Sequence, residues 1–209
     1  MIDRVLQYFR PPPVATASQL RDLLAEQSAF IAQKTSTGYC QAKTGAFSYA
    51  LFQEKAFIDA LAICRWESFA AVLADALVMT EAFLRPTAGD RAPAVANALV
   101  RWYGETLASY SPPAHRPQGW DDLVAAFGPR MARAQMAAPL APVDIAAASG
   151  RRMFDVLPIH STYSEADLEV IQGAVQFLIV SLWQILEKRV DIPAVIADLV
   201  GPASGASAA

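Results

Sequence analysis

Apolar residues recur along most of the chain at steps of three and four, the spacing that lines one side of an α-helix. Ile2, Val5, Leu6 and Phe9 follow it in a short stretch halted by Pro11, Pro12 and Pro13. An arm of that length is marginal alone and needs a surface to dock on. Thr16 and Gln19 then stand at the spacing of a capping box, ahead of Leu20, Leu23, Leu24, Gln27, Phe30 and Ile31 on one helix face. This helix is expected to reach Thr44, weakened at Gly38 and ended by Gly45.

The pattern then loses its polar side. From Gln53 to Leu84, Phe57, Leu61, Cys64, Ser68, Val72, Asp75 and Met79 share a face, while Trp66, Ala70, Ala74, Leu77 and Val78 occupy the others. A helix apolar all round is expected to be surrounded by other helices, and Pro86 is expected to end it. Val95, Leu99, Trp102, Tyr103, Thr106 and Tyr110 mark a third helix, followed by a rigid connection through Pro112, Pro113, His115, Arg116 and Pro117. Trp120, Val124, Phe127 and Met131 mark a fourth, with a kink expected at Pro129. Pro142 opens a fifth, running to about Leu157, with Val143, Ala147, Gly150 and Phe154 toward the core. Ser164, with acids at 165 and 167, signals the start of a long helix that carries Leu168, Ile171, Val175, Leu178, Ile179, Leu182, Ile185 and Leu186. Phe177, Val180 and Trp183 widen its apolar surface, so it reads as a second buried core helix. A last short helix runs from Pro193 to Gly201.

With no alternating strand pattern and no internal repeat, the chain reads as all-α: a single-domain helical bundle of about seven to eight helices with two long central helices. The domain is expected to cover 1–200, with 1–13 as a docking arm and 201–209 as a disordered tail. If the first two long helices form an antiparallel hairpin turning near Phe47–Tyr49, its register brings Lys43 beside Glu54 and Lys34 beside Glu67.

Composition sharpens the functional question. Of the 209 residues, 54% are hydrophobic and 18% are charged, below the usual charged share of about 25%. The mean hydropathy is +0.26, so surplus apolar surface has to be covered by a central helix, a partner or a ligand. A net charge of −3 with basic residues only in pairs, such as Arg151–Arg152 and Lys188–Arg189, argues against nucleic-acid binding. Cys40 and Cys64 are too few for a disulfide framework and read as thiols in a reducing compartment. The N-terminus lacks the features of a signal peptide. The apolar run from Val170 to Leu186, interrupted by Gln172, Gln176, Ser181 and Gln184, falls short of a membrane span. A cytoplasmic protein with no transmembrane segment is expected.

No catalytic signature is present: there is no GxSxG elbow, P-loop, GxGxxG or Glu-x-x-His pair. No metal and no cofactor are therefore expected. The polar residues set in apolar helices are the candidates that remain. Lys34, Tyr39, Cys40, Arg65, Glu67 and Asp75 are expected either to fix helix register as paired charges or to line a pocket between helices. His160 is a weak acid–base candidate without a nucleophile beside it. Trp66, Trp102, Trp120 and Trp183 each fall within an apolar pattern and are expected in the core. The resulting functional expectation is a non-catalytic interaction or assembly module that associates with a protein partner or with itself as a homodimer. A carrier or sensor of an apolar ligand between the central helices is the alternative, and an enzyme is the weakest reading.

Overall fold

The computed structural model describes residues 12–159 and 165–201, and these form an all-α structure. Its helices are α1 (Ala17–Thr44), α2 (Lys55–Ala88), α3 (Ala92–Ala108), α4 (Asp121–Gln135), α5 (Ala147–Asp155), α6 (Glu165–Arg189) and α7 (Ile192–Val200), with single helical turns at Ser48–Leu51 and Pro142–Ile145. The arm at 1–11, His160, Ser164 and the tail at 202–209 lie outside the described residues.

Local chemistry sets most boundaries. Thr16 accepts from the Gln19 amide at 3.2 Å while the Gln19 side chain accepts from the Thr16 amide, the capping box expected from sequence. Gly45 ends α1 at φ +53°, a left-handed conformation that suits glycine. Pro86 does not end α2. The helix continues one more half-turn to Ala88 and stops at Gly89 (φ +55°). Burial of Leu84 and Ala88 on either side of the proline outweighs the single lost amide hydrogen bond. Helix α4 likewise runs through Pro129 because Phe127 and Met131 are both anchored in the core.

Helix α2 is the axis of the molecule and packs against α1, α3, α4, α5 and α7. It forms an antiparallel hairpin with α1, in which Arg65 donates to the Thr37 hydroxyl at 3.0 Å. The buried side chains make one cluster extending from Val14 to Ile196. Before α1, the chain is tied to the other end of the sequence. The Val14 amide donates to the Arg189 carbonyl at 2.8 Å and the Asp191 amide to the Val14 carbonyl at 2.9 Å. The first amide of α1, that of Ala17, donates to Asp198 on α7 at 2.8 Å.

Three packing expectations change. Phe30 is 49% exposed, because α1 turns this edge away from α2. The 142–157 segment breaks at Ala146, which rotates its inward face: Ile145, Ala146, Ser149, Gly150 and Met153 are buried and Val143 is exposed. Here a glycine is required by contact, since a Cβ on Gly150 would lie 3.0 Å from the Gln172 Cα of α6. Finally, α6 is not a buried core helix. Ile171, Val175, Ile179, Leu182 and Leu186 form its covered stripe, while Val170 is 61% and Phe177 72% exposed on the opposite side.

Candidate functional site

Two regions carry chemistry that packing alone does not absorb. The first is a stripe of acids on α2. Glu67, Asp75 and Glu81 project from one face at 100° per residue, interleaved with Ala71, Ala74, Val78 and Ala82. All three carboxylates are buried, with Asp75 fully so and Glu67 3% exposed. An isolated buried carboxylate is costly, and each is answered by donors from elsewhere in the chain.

Glu67 has the densest set. Arg116 grips it with Nε on Oε1 and Nη2 on Oε2 at 3.1 Å, Arg152 donates to Oε2 at 2.6 Å, and His115 Nε2 donates to Oε1 at 3.0 Å. Arg116 is itself held by Asp122 at 2.8 Å and stacks over Trp120 at 4.6 Å. Burial alone would raise the Glu67 pKa, but the hydrogen bonds from Arg116, Arg152 and His115 outweigh it and hold the carboxyl at about 2. Asp75 has fewer donors: Arg130 Nη2 on Oδ1 and the Ser149 amide on Oδ2 at 3.1 Å. Burial therefore dominates and pushes its pKa above the ordinary carboxylate value, against the pull of Arg130 and Ser149. Glu81 is bound bidentately by Arg85 at 2.8 and 2.6 Å and also by Gln135. Arg85 continues to the carbonyls of Ala137 and Ala134, pinning the end of α4 to α2.

The small residues between these acids leave space. A cavity of about 170 Å³ lies against Ala71 and Ala74, with Glu67, Arg130 and Arg152 in its wall. A larger cleft of about 440 Å³ follows toward Glu81 and the Pro142–Ile145 turn, with Arg130 in its wall as well.

The second region is the outward side of α6. Ala166, Val170, Gly173, Phe177, Val180 and Gln184 succeed one another at steps of four and three, directly opposite the covered stripe. Gly173 is open, with nothing within 4 Å of where a Cβ would stand. Beside this seam, Lys34, Gly38, Tyr39 and Ala42 of α1 face Ala174 and Leu178 of α6 across a groove of about 350 Å³. Helix Ala166–Arg189 is also the one helix among the described residues long and apolar enough, by length and composition, to cross a membrane; 22% of its most apolar stretch is buried.

The six residues expected to form one polar cluster are dispersed. Lys34 and Tyr39 border the α1/α6 groove, where the Tyr39 hydroxyl donates to Asp167 at 2.7 Å. Cys40 and Cys64 are free and buried, their thiols pushed up to about 12 and about 11, first by burial. Arg65 borders a fourth hollow of about 280 Å³ with Trp66, Phe69 and Tyr110. Glu67 and Asp75 lie on the same acid-bearing face of α2. The expected Lys43–Glu54 and Lys34–Glu67 contacts are not made. Lys43 pairs with Asp167 on α6 at 2.7 Å, Lys34 stacks on Phe30 of its own helix, and Glu67 is taken by Arg116, Arg152 and His115. The hairpin sets height along the helices, but Glu67 points from a different face of α2 than the one that meets α1. Trp102 and Trp120 are core residues as expected, whereas Trp66 and Trp183 are half-buried. Sequence reasoning passed over His115, Arg116, Arg130 and Arg152. Three buried acids at one helical face, with no basic residue at i±4 of Glu67 or Asp75, were the signal that distant cations had to be found.

Compared with known protein families, curated proteins and solved structures, the chain matches none of them. Among the described residues, no group of three or more His, Cys, Asp or Glu side chains is placed to hold a metal.

Proposed function

We propose that this protein is a helical assembly module that pairs with a second copy of itself through the outward seam of α6. The supporting observation is that α6 carries apolar side chains on two opposite sides, only one of which is covered by the described residues. A second copy is favoured over an unlike partner by the order of sizes along the seam. Phe177 is a knob and Gly173, four residues away, is an empty hole. An antiparallel pairing that seats Phe177 of each chain over Gly173 of the other also sets Val170 opposite Val180, so one surface complements itself about a two-fold axis.

Sedimentation velocity tests this reading. The expected result is a dimer for the natural chain and a monomer of unchanged helical content for Phe177→Asp. A natural chain that stays monomeric at the highest attainable concentration, or that instead partitions onto lipid vesicles through α6, overturns it.

A second reading, carriage of an apolar ligand, draws on the groove between α1 and α6. Native mass spectrometry separates the two. A mass equal to two bare chains supports pairing, whereas a single chain with an added mass lost on denaturation supports carriage.

A further inference from the structure

We infer that the cavity between Arg130 and Arg152 on the acid-bearing face of α2 is a binding site for a small organic monocarboxylate of two to four carbons. The inference does not depend on pairing through α6, which lies elsewhere on the molecule. The space is about 170 Å³, room for roughly five or six waters at ~30 Å³ each. Its wall combines Ala71, Ala74, Leu123 and Phe127 with the two guanidinium groups, an apolar lining with a few convergent polar groups.

Both arginines are held from behind and retain unused donors. Arg130 spends Nη2 on Asp75, and Arg152 spends Nη2 on Glu67. Neither makes another hydrogen bond within the described residues. A guanidinium has five N–H donors in a planar fork that matches a carboxylate two-to-two. The buried acids thus orient the forks rather than exhaust them.

Charge sets the valence of the ligand. The wall of this cavity holds the Glu67 carboxylate and the Arg130 and Arg152 guanidinium groups, one positive charge in excess. Arg116 lies outside that wall and is paired with Asp122 at 2.8 Å. One negative charge restores balance, and a dianion would meet the Glu67 carboxylate with a surplus. The alanine floor excludes long chains near the arginines, because the apolar part of the ligand must fit over Ala71 and Ala74.

The test is a ligand-observed NMR titration of the full chain with acetate, propionate and butyrate in chloride buffer, and with inorganic phosphate separately. Saturable carboxylate binding is expected, weakened roughly tenfold or more in Arg130→Lys, which keeps the charge on Asp75 but loses the fork. Ala71→Leu fills the cavity without touching a charge and is expected to abolish binding while the melting temperature holds. That variant decides the matter even if Arg130→Lys fails to fold. Absence of saturable carboxylate binding, phosphate binding as tightly as any carboxylate, or full binding in Ala71→Leu would each overturn the inference.

Discussion

Helices α2 and α6 have similar sequence character, long and apolar with scattered polar residues, yet their surroundings are opposite. From Glu67 to Leu84 no side chain of α2 is exposed, and even Glu67 and Asp75 are met by arginines from α4, α5 and the proline-rich connection. Around α6 the described residues cover one side only, and Phe177 and Val170 face outward. An apolar helix is therefore not by itself a core helix. Its burial depends on whether other segments return to cover it, and a helix left half-covered is where a second molecule has most to gain.

The comparison breaks most sharply at Glu67. Glu67→Gln leaves Arg116 and Arg152 around a neutral amide, and removing one partner of a buried pair costs about 3–5 kcal/mol. Urea denaturation measures this; a loss under about 1 kcal/mol would mean that these arginines reach solvent readily and that the α2 network is not a structural lock.

A comparable effect is expected in acid. The Glu67 carboxyl is held at about 2 against 4.5 unperturbed, so the folded state binds this proton more weakly than the unfolded one. Its contribution, about 3 kcal/mol by linkage, is fully present above about pH 5 and is lost as pH falls toward about 2. Asp75 acts in the opposite sense, since a raised carboxyl pKa favours the folded state as pH falls. Melting temperatures of the natural chain and Glu67→Gln across this range should differ in slope, the variant being flatter. Parallel curves would show that Glu67 does not carry the acid sensitivity.

Within α6 the two stripes should answer differently to the same kind of truncation. Leu182→Ala, on the covered stripe, is expected to cost about 2–5 kcal/mol. Phe177→Ala, on the open one, is expected to change monomer stability by less than about 0.5 kcal/mol while weakening self-association. Equal losses measured on the dissociated chain would show that Phe177 is covered within its own molecule. The smallest effect expected is at the thiols. Cys40 and Cys64 should resist thiol reagents in the native state and react only on unfolding, because burial keeps both protonated.

Much of the helical layout was legible because helix signals are local. The Thr16–Gln19 box, Gly45, Pro142 and the helix around Pro193 are set by side chains within one turn of the boundary they mark. The misreadings involve packing. Pro86 reads as a terminator from sequence, but Leu84 and Ala88 are buried on both sides of it and hold the helix through it. Phe30 and Val143 fitted an apolar face that the neighbouring helices do not cover. The site was less legible still: the sequence singled out Glu67 and Asp75 as acids in need of partners, but it assigned Glu67 to Lys34. Their side-chain partners lie 48 to 85 residues away in the chain, and no local spacing connects them.

What the sequence by itself determined is therefore the class of structure: helical periodicity, caps and proline breaks act over a few residues and leave no room for strands. It also determined that Glu67 and Asp75 required distant partners, because no basic residue stood at i±3 or i±4 of either. Tertiary structure decided which arginine answers which acid, where small side chains leave a cavity, and which apolar face remains open. Those outcomes depend on how helices rotate and approach one another, which is settled by packing across the whole chain rather than by any one stretch of it.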